Sequence, residues 1–261
     1  MTFAAQYGPW ALIAGGSEGV GAAFARQLAQ QGLNIVLVAR NSVPMDALAK
    51  EIGKEYPACA VRTVSADLSV AGDVQRVIDA AGDLEVGLLI CNAGAALQWV
   101  PFLDGDIDVS RKLVAVNIES TLALVHAFGQ GMKLRRRGGI MLVGSLASSA
   151  GSHGFATYSA VKAFLGIFAE GLWHELRPYD VHVLGYIIGA TATPSMARSF
   201  PGSAGQGADP ASVASQGLAK LADGPTQYPD DGEGVVQMFN SMPRAEAVEM
   251  LYQASAPYRG A

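Results

Sequence analysis

The sequence predicts an α/β fold with a single doubly wound parallel sheet of about seven strands and helices on both faces. Short apolar runs with few charges alternate along the chain with longer stretches of helical spacing. Such runs are typical of strands buried on both faces of a parallel sheet, and a β-α-β-α order implies right-handed crossovers. A glycine-rich segment directly after the first run indicates a tight turn from a strand into a helix.

Six apolar runs, bounded by glycine or polar residues, and a weaker seventh run define the expected strands. They are Trp10–Ala14, Asn34–Ala39, Ala60–Val64, Val86–Cys91, Ile140–Gly144, Val181–Ile188 and a last one around Pro225–Pro229. The stretches between them favour helices, because apolar residues recur every three or four positions. Val20, Phe24 and Leu28 define the first, which Gly32 is placed to end. Further helices are expected at 107–135, 157–177, Ala211–Ala222 and Arg244–Tyr252.

Length and composition predict one domain over residues 1–261. Half of the residues are apolar, which is enough for one substantial core in a chain of 261 residues. The composition turns to Ser, Gly, Ala and Pro at residues 194–210, which indicates a mobile loop or lid over the substrate rather than a linker between domains.

The charge balance argues against nucleic acid as a partner. The formal net charge is −5, and binding to phosphate backbones needs clustered Lys and Arg. The one basic cluster, Arg135-Arg136-Arg137, comes directly before two glycines, where a helix should end. Cations there complement the helix dipole, which we favour over recruitment of an anion.

Cysteine usage and hydropathy predict a metal-free protein of a reducing cytoplasm. Cys59 and Cys91 are 32 positions apart, without the spacing of a zinc site or a disulfide framework. The chain shows neither the pattern of a secretory signal nor an apolar stretch near the roughly 20 residues of a membrane helix. We therefore expect no membrane partner.

The turn after the first strand reads Gly15-Gly16-Ser17-Glu18-Gly19-Val20-Gly21. Glycines let the backbone approach a pyrophosphate closely, and the following helix offers unpaired N–H groups and the positive end of its dipole. The simpler alternative is an ordinary strand-to-helix turn. Because a strand precedes and an amphipathic helix follows, we favour a dinucleotide site.

The end of the second strand predicts the type of dinucleotide. Arg40 stands where an acidic residue would bind the ribose 2′-hydroxyl of NAD, and an arginine there can pair with the 2′-phosphate of NADP. The prediction is therefore NADP(H) as the preferred cofactor, with NAD(H) as a possible one. Against it, Arg40 could be a surface residue that begins a loop, and the Glu18 carboxylate would repel the same phosphate.

Three side chains form the expected catalytic group. Tyr158 and Lys162 lie one turn apart on a predicted helix, so that the ammonium group can lower the pKa of a phenol that otherwise titrates near pH 10. Ser145 ends the fifth strand, and the carboxyl ends of strands face the ligand crevice in open α/β sheets. The alternatives are a chance Tyr/Lys pair and a serine that merely caps a turn.

With Asn92-Ala93-Gly94 and Asn117, these segments make the chain resemble the short-chain dehydrogenase/reductase family over residues 9 to about 197. The resemblance implies a Rossmann-type domain in which Ser145 orients a carbonyl, Tyr158 acts as general acid or base and Lys162 binds the nicotinamide ribose. It implies that Asn117 holds a water of the proton relay. The resemblance implies further contacts with the cofactor. They are made by Asp67 and Leu68 beside the adenine, by Asn92, Ala93 and Gly94 in the turn that backs the cofactor, and by Gly189, Thr191 and Thr193 near the nicotinamide.

Four residues depart from the family pattern. Ala14 replaces a threonine, Cys91 an asparagine, Val161 a serine and Ile188 a proline. None of these changes removes a reacting group.

The finer resemblance is to the branch that contains 3-ketoacyl and 17β-hydroxysteroid reductases, which implies a bulky apolar ketone or secondary alcohol as substrate. The residues that could line such a pocket are Trp99, Phe102, Phe155, Met196 and Phe200, and for any one of them ordinary core or lid packing is the favoured alternative. The resemblance also implies a homodimer or homotetramer through helices 107–135 and 157–177. The alternatives are an epimerase, dehydratase or enoyl reductase of the same fold, and a non-catalytic regulator that binds NADP(H).

Overall fold

The structure, a computed structural model, describes residues 2–94 and 98–256, and seven parallel strands form its centre. The strands are β1 (Trp10–Ala14), β2 (Asn34–Ala39), β3 (Val61–Ser65), β4 (Val86–Cys91), β5 (Gly138–Ser145), β6 (Val181–Ile188) and β7 (Thr226–Gln227). Their order in the sheet is β3-β2-β1-β4-β5-β6-β7. The predicted Rossmann-type fold class is confirmed.

The α-helices of the described residues connect and cover these strands. They are α1 (Phe3–Tyr7), α2 (Gly19–Gln30), α3 (Ser42–Glu55), α4 (Ala71–Ala80), α5 (Ile107–Val114), α6 (Ser120–Arg135), α7 (Ala156–Leu176), α8 (Pro194–Ser199), α9 (Pro210–Ala219), α10 (Gly232–Ser241) and α11 (Arg244–Ala254). None of the helices in residues 2–94 and 98–256 is long and apolar enough to cross a membrane.

Each face of the sheet has its own apolar core. Successive residues of a strand point to opposite faces, so that Ile13 packs into the core that contains Phe24 of α2, whereas Leu12 packs into the core that contains Phe128 of α6. This arrangement explains why the strands are continuous apolar runs rather than alternating ones, because both faces are buried.

The strand order reverses beside β1. From β1 the chain moves outward to β2 and β3, then returns to β4 on the other side of β1 and continues to β7. The loops that leave β1 and β4 therefore diverge at this point and open a crevice beyond the carboxyl ends of the strands, which is where open α/β sheets bind ligands.

Several elements differ from the sequence prediction. Strand β3 lies one residue further along than expected, β5 extends to Gly138 and Ser145, and β7 has only two residues. The single helix expected at 107–135 is divided by a π-helical turn at Ala115–Glu119.

The segment 194–210 is also more regular than predicted. Within this segment, which is predicted to be a mobile loop or lid, Pro194–Ser199 form a helix with a short 3₁₀ turn after it. The Thr193 hydroxyl accepts a hydrogen bond from the Met196 N–H at 3.1 Å, and Pro194 occupies the first helical position. A threonine cap followed by proline is a common helix start.

The arginine cluster ends helix α6, as the sequence indicates. Arg136 adopts the left-handed conformation that terminates the helix, with φ of 53°. Arg135 and Arg137 both pair with Glu85, which comes just before β4. The cluster therefore fastens the end of the helix to the sheet.

The core position of Leu12 supports a stability prediction. Leu12 is fully buried, and Leu12→Ala should lower the free energy of unfolding by about 2–5 kcal/mol because it leaves a cavity. Leu134, whose side chain is 85% exposed on α6, provides the matched control, and Leu134→Ala should change stability by less than about 0.5 kcal/mol. Urea unfolding followed by tryptophan fluorescence measures both; equal effects would contradict the assigned core.

Candidate active site

A cleft of about 1430 Å³ lies beyond the carboxyl ends of the strands. Sites for single small molecules commonly have volumes of roughly 300–1,000 Å³, so this cleft has room for a dinucleotide and a second ligand. Its walls come from the glycine turn, the ends of β2 and β4, the start of α7, the segment after β6 and the last two helices.

The glycine turn forms one end of the cleft. Ser17, Glu18, Gly19 and Val20 line it, and the Asn92 side chain braces the turn by donating a hydrogen bond to the Gly15 carbonyl at 2.9 Å. Glu18 occupies the cap position of α2 but makes no side-chain hydrogen bond to the N–H groups of the first turn. The turn therefore has the features of an anion site at a helix N-terminus.

Gly21 is the one predicted cofactor residue of this turn that does not line the cleft. It lies inside α2, where a Cβ atom would be 2.0 Å from the Gly15 carbonyl oxygen. This close approach lets helix and strand pack tightly, and the contact of Gly21 with the cofactor stays a prediction.

The ends of β2 and β3 place two further predicted residues on the cleft. Arg40 follows β2 with an exposed side chain, and Asp67 follows β3. The Asp67 carboxylate accepts hydrogen bonds from the backbone N–H of Ser69 at 2.9 Å and from its hydroxyl at 2.7 Å. Leu68, which is buried, lies beside them on the wall of the cleft.

Glu18 does not stand alone at the glycine turn. Arg198 of α8 donates two hydrogen bonds to its carboxylate, one of them from Nη1 to Oε2 at 3.0 Å. The partners are 180 positions apart in the sequence. The negative charge of Glu18, which would repel a phosphate at this turn, is therefore balanced by the Arg198 guanidinium from the opposite wall.

Lys162 is buried at the base of the cleft. Its ammonium group donates a hydrogen bond to the Val143 carbonyl of β5 at 3.0 Å and lies 5.9 Å from the centre of the Tyr158 ring. Burial lowers the pKa of Lys162 to about 8, and the electrostatic interaction with Cys91 acts in the opposite direction. Both side chains of the predicted Tyr/Lys pair line the same cleft.

Ser145 lies on this cleft as well, at the end of β5. Its hydroxyl also accepts a hydrogen bond from the Ala147 N–H at 3.2 Å and caps the short 3₁₀ turn Leu146–Ser148. The two sequence interpretations, a cap and a site hydroxyl, are thus compatible, because a hydroxyl that accepts through one lone pair can still donate.

Asn117 lies in the π-helical turn and is fully buried. Its Nδ2 donates to the Leu113 carbonyl at 2.9 Å, whereas its Oδ1 has no hydrogen-bond donor among the described residues. Gly94, with φ of 121°, lies against it, and a Cβ atom there would be 2.1 Å from Asn117 Oδ1. Only glycine fits at position 94, because any side chain there would collide with this asparagine.

The remaining predicted cofactor residues also line the cleft: Ala93, Gly94, Gly189, Thr191 and Thr193. Thr191 donates to the Gly189 carbonyl at 3.1 Å, and Thr193 begins α8. Within residues 2–94 and 98–256, no group of three acidic, histidine or cysteine side chains could hold a metal ion.

The other end of the cleft is apolar. Phe155, Met196 and Phe200 line it as predicted, whereas Trp99 and Phe102 do not. Trp99 instead packs against the rings of His153 and Tyr252, and Phe102 is about half exposed. The cleft-lining residues that sequence reasoning missed include Val109, Lys112 and Leu113 of α5, Arg198 of α8, and Val235, Phe239, Leu251, Ala254 and Ser255 near the end of the chain.

Comparison with known proteins agrees with this geometry. The sequence profile of the short chain dehydrogenase family matches residues 9–203. A very-long-chain 3-oxoacyl-CoA reductase of Coccidioides immitis (strain RS) is 36% identical over 179 residues, which make up 67% of this chain and 51% of the reductase. The chain thus spans about half the length of the curated relatives it matches.

Two solved structures cover nearly the whole fold. A 7β-hydroxysteroid dehydrogenase superposes with a TM-score of 0.88 at 25% identity and covers 96% of this chain and 99% of its own. A short-chain dehydrogenase from Sphingobium yanoikuyae, solved in complex with NADPH, gives a TM-score of 0.77 at 28% identity, with 93% and 99% covered. This chain, with its glycine turn and its Ser145, Tyr158 and Lys162 on one cleft, belongs to the short-chain dehydrogenase family.

Proposed function

We propose that this chain is an oxidoreductase that interconverts a bulky apolar ketone and its secondary alcohol with NADP(H), with NAD(H) as a possible second cofactor. The observation that carries the proposal is the Lys162 ammonium, buried one helical turn from Tyr158 on a cleft that also contains Ser145 and the glycine turn. A structural lysine would gain little from such burial, because desolvating an ammonium group is costly.

The described residues fit a dinucleotide. Ser17, Gly19 and Val20 at the start of α2 would hold the pyrophosphate, and Arg40 would pair with a 2′-phosphate. Asp67 and Leu68 would lie at the adenine, and Gly189, Thr191 and Thr193 at the nicotinamide. The chemistry that this cofactor supplies when bound is hydride transfer to or from a carbon atom.

Tyr158 would give a proton to the substrate oxygen in reduction and take one back in oxidation. An ordinary phenol, with a pKa near 10, is a poor proton carrier at neutral pH, and a nearby cation corrects this by stabilising the phenolate. Because the pKa of Lys162 is about 8, this side chain is charged in most protein molecules at pH 7. Lys162 can therefore serve as that cation.

Ser145 and Asn117 complete the proposed proton path. The Ser145 hydroxyl, already an acceptor for Ala147, would donate to the substrate carbonyl and fix its orientation. Asn117 Oδ1, buried and without a donor among the described residues, would accept a hydrogen bond from a water that relays protons to Lys162.

The apolar end of the cleft supports a bulky substrate. Phe155, Phe200, Phe239 and Leu251 present large apolar surfaces to it, and the relatives named above are a very-long-chain 3-oxoacyl-CoA reductase and a 7β-hydroxysteroid dehydrogenase. We further propose that residues 1–261 form one domain, in which residues 194–210 act as a lid. We also propose a cytoplasmic location and assembly into a homodimer or homotetramer. Light scattering would measure the number of subunits.

The phenol hydroxyl can be tested by Tyr158→Phe. The variant should lose about 10²–10⁴-fold in kcat, because it removes the proton donor and keeps the ring. Its Kd for NADPH, measured by fluorescence titration, should stay within about threefold of wild type, since a single neutral hydrogen bond contributes little to binding. A variant that keeps most of its turnover would refute the proposed role.

Arg40→Ala tests the cofactor preference. It should raise KM for NADPH by about 10–100-fold, the value of a lost charge-assisted contact, and leave KM for NADH nearly unchanged. Arg26→Ala, which removes an exposed arginine of α2 that pairs with Glu51, provides the control and should affect neither cofactor. Equal effects of Arg40→Ala on both cofactors would count against the 2′-phosphate contact.

Lys162→Met tests the burial of the ammonium through the pH dependence of stability. The lysine titrates near 8 in the folded protein and near 10.5 when unfolded, so between these values the unfolded state binds more protons. The unfolding free energy of wild type relative to the variant should therefore rise between pH 8 and 10.5, by on the order of 3 kcal/mol. Urea titrations of the protein without cofactor measure this difference; a pH-independent difference would mean that the lysine is not desolvated.

A further inference from the structure

The ion pair between Glu18 and Arg198 joins two walls of the cleft. Glu18 belongs to the glycine turn, and Arg198 belongs to α8, within the proposed lid. Both side chains line the cleft, and the guanidinium group donates to both carboxylate oxygens. Among the arginine–carboxylate pairs of the described residues, Arg26–Glu51 and Arg62–Asp83 have the same two-bond form, but both lie outside the cleft.

A second contact holds the same two segments together. The Thr193 side chain packs on Gly19 so closely that a Cβ atom at position 19 would be 2.7 Å from the threonine methyl group. Thr193 also caps α8 through its hydroxyl, so its position fixes the direction in which the helix leaves the turn. Arg198, one turn further along α8, therefore reaches back to the turn rather than into solvent.

The position of Glu18 creates an electrostatic problem that this pair solves. The N-terminus of α2 attracts anions, and its cap residue is itself an anion whose side chain is only 28% exposed. An unpaired carboxylate there would repel the phosphates of a dinucleotide, and the repulsion would be poorly screened because the group is half-buried. A guanidinium bound to both oxygens balances this charge and occupies one lone pair on each oxygen.

We propose that Arg198 is a positioning residue of the cofactor site, whose ion pair with Glu18 removes the repulsion between the glycine turn and the phosphates of a dinucleotide and holds α8 on that turn. The inference rests on the proposed function, because it assumes that a dinucleotide binds at the turn. It assigns the Glu18 carboxylate no contact with cofactor, although Glu18 belongs to the turn at which the sequence predicts a dinucleotide site. The phosphates concerned can be the pyrophosphate or the 2′-phosphate, and the test separates them.

The experiment compares Arg198→Ala, Glu18→Gln and the double variant by fluorescence titration with NADPH and with NADH. Arg198→Ala should raise Kd about tenfold, because it leaves the Glu18 carboxylate unpaired. Adding Glu18→Gln to it should restore Kd to within about threefold of wild type, since the repelling charge is then gone. Equal weakening for NADPH and NADH assigns the effect to the pyrophosphate, and weakening for NADPH alone assigns it to the 2′-phosphate.

The pair Arg26→Ala and Glu51→Gln, which joins α2 to α3 outside the cleft, provides the matched control, and both variants should bind as wild type does. Wild-type binding by Arg198→Ala would overturn the inference. So would a double variant as weak as Arg198→Ala, because Arg198 would then act by direct contact or by shaping α8. Either of these two results would leave the proposed function intact. A wild-type protein that binds neither dinucleotide would refute the proposed function itself, and the inference with it.

Discussion

The hydrogen bond from Lys162 Nζ to the Val143 carbonyl sets the geometry of the whole site. It joins the first turns of α7 to the last residues of β5, and therefore fixes Tyr158, one turn before the lysine, relative to Ser145, two residues after the valine. The bond also gives a buried ammonium one strong acceptor, which offsets part of the cost of its desolvation. It adds a polar contact to the apolar packing that holds α7 on the sheet, where Leu165 and Ala169 are buried against β5.

The sheet makes this local arrangement useful. Because every strand is parallel, β1, β4, β5 and β6 all end at the same edge, and the reversal of strand order beside β1 opens that edge to a ligand. Residues that are distant in the sequence thus meet by topology rather than by direct pairing. Asn92, at the end of β4, braces the glycine turn of β1, and Gly94 leaves just enough space for Asn117.

Patterns along the chain carry most of the fold and part of the site. The bounds of β1, β2, β4 and β6 were predictable to the residue, since apolar runs end abruptly at polar or glycine neighbours. The start of β5 was not predictable from apolar residues, because Gly138 and Gly139 have no side chains. The start of α8, by contrast, is marked in the sequence by Thr193 and Pro194. The Glu18–Arg198 pair and the cleft-lining residues of α10 and α11 depend on tertiary packing, which periodicity does not encode.

The π-helical turn at Ala115–Glu119 has a geometric consequence for the helix before it. A π turn accommodates one residue more than a regular helix over the same advance, so it changes the rotational phase of everything on one side of it. Val109, Lys112 and Leu113 face the cleft from α5 while α6 buries Leu124 and Phe128 against the sheet. The π-helical turn thus allows one continuous helical segment to line the ligand cleft with α5 and to pack into the core with α6.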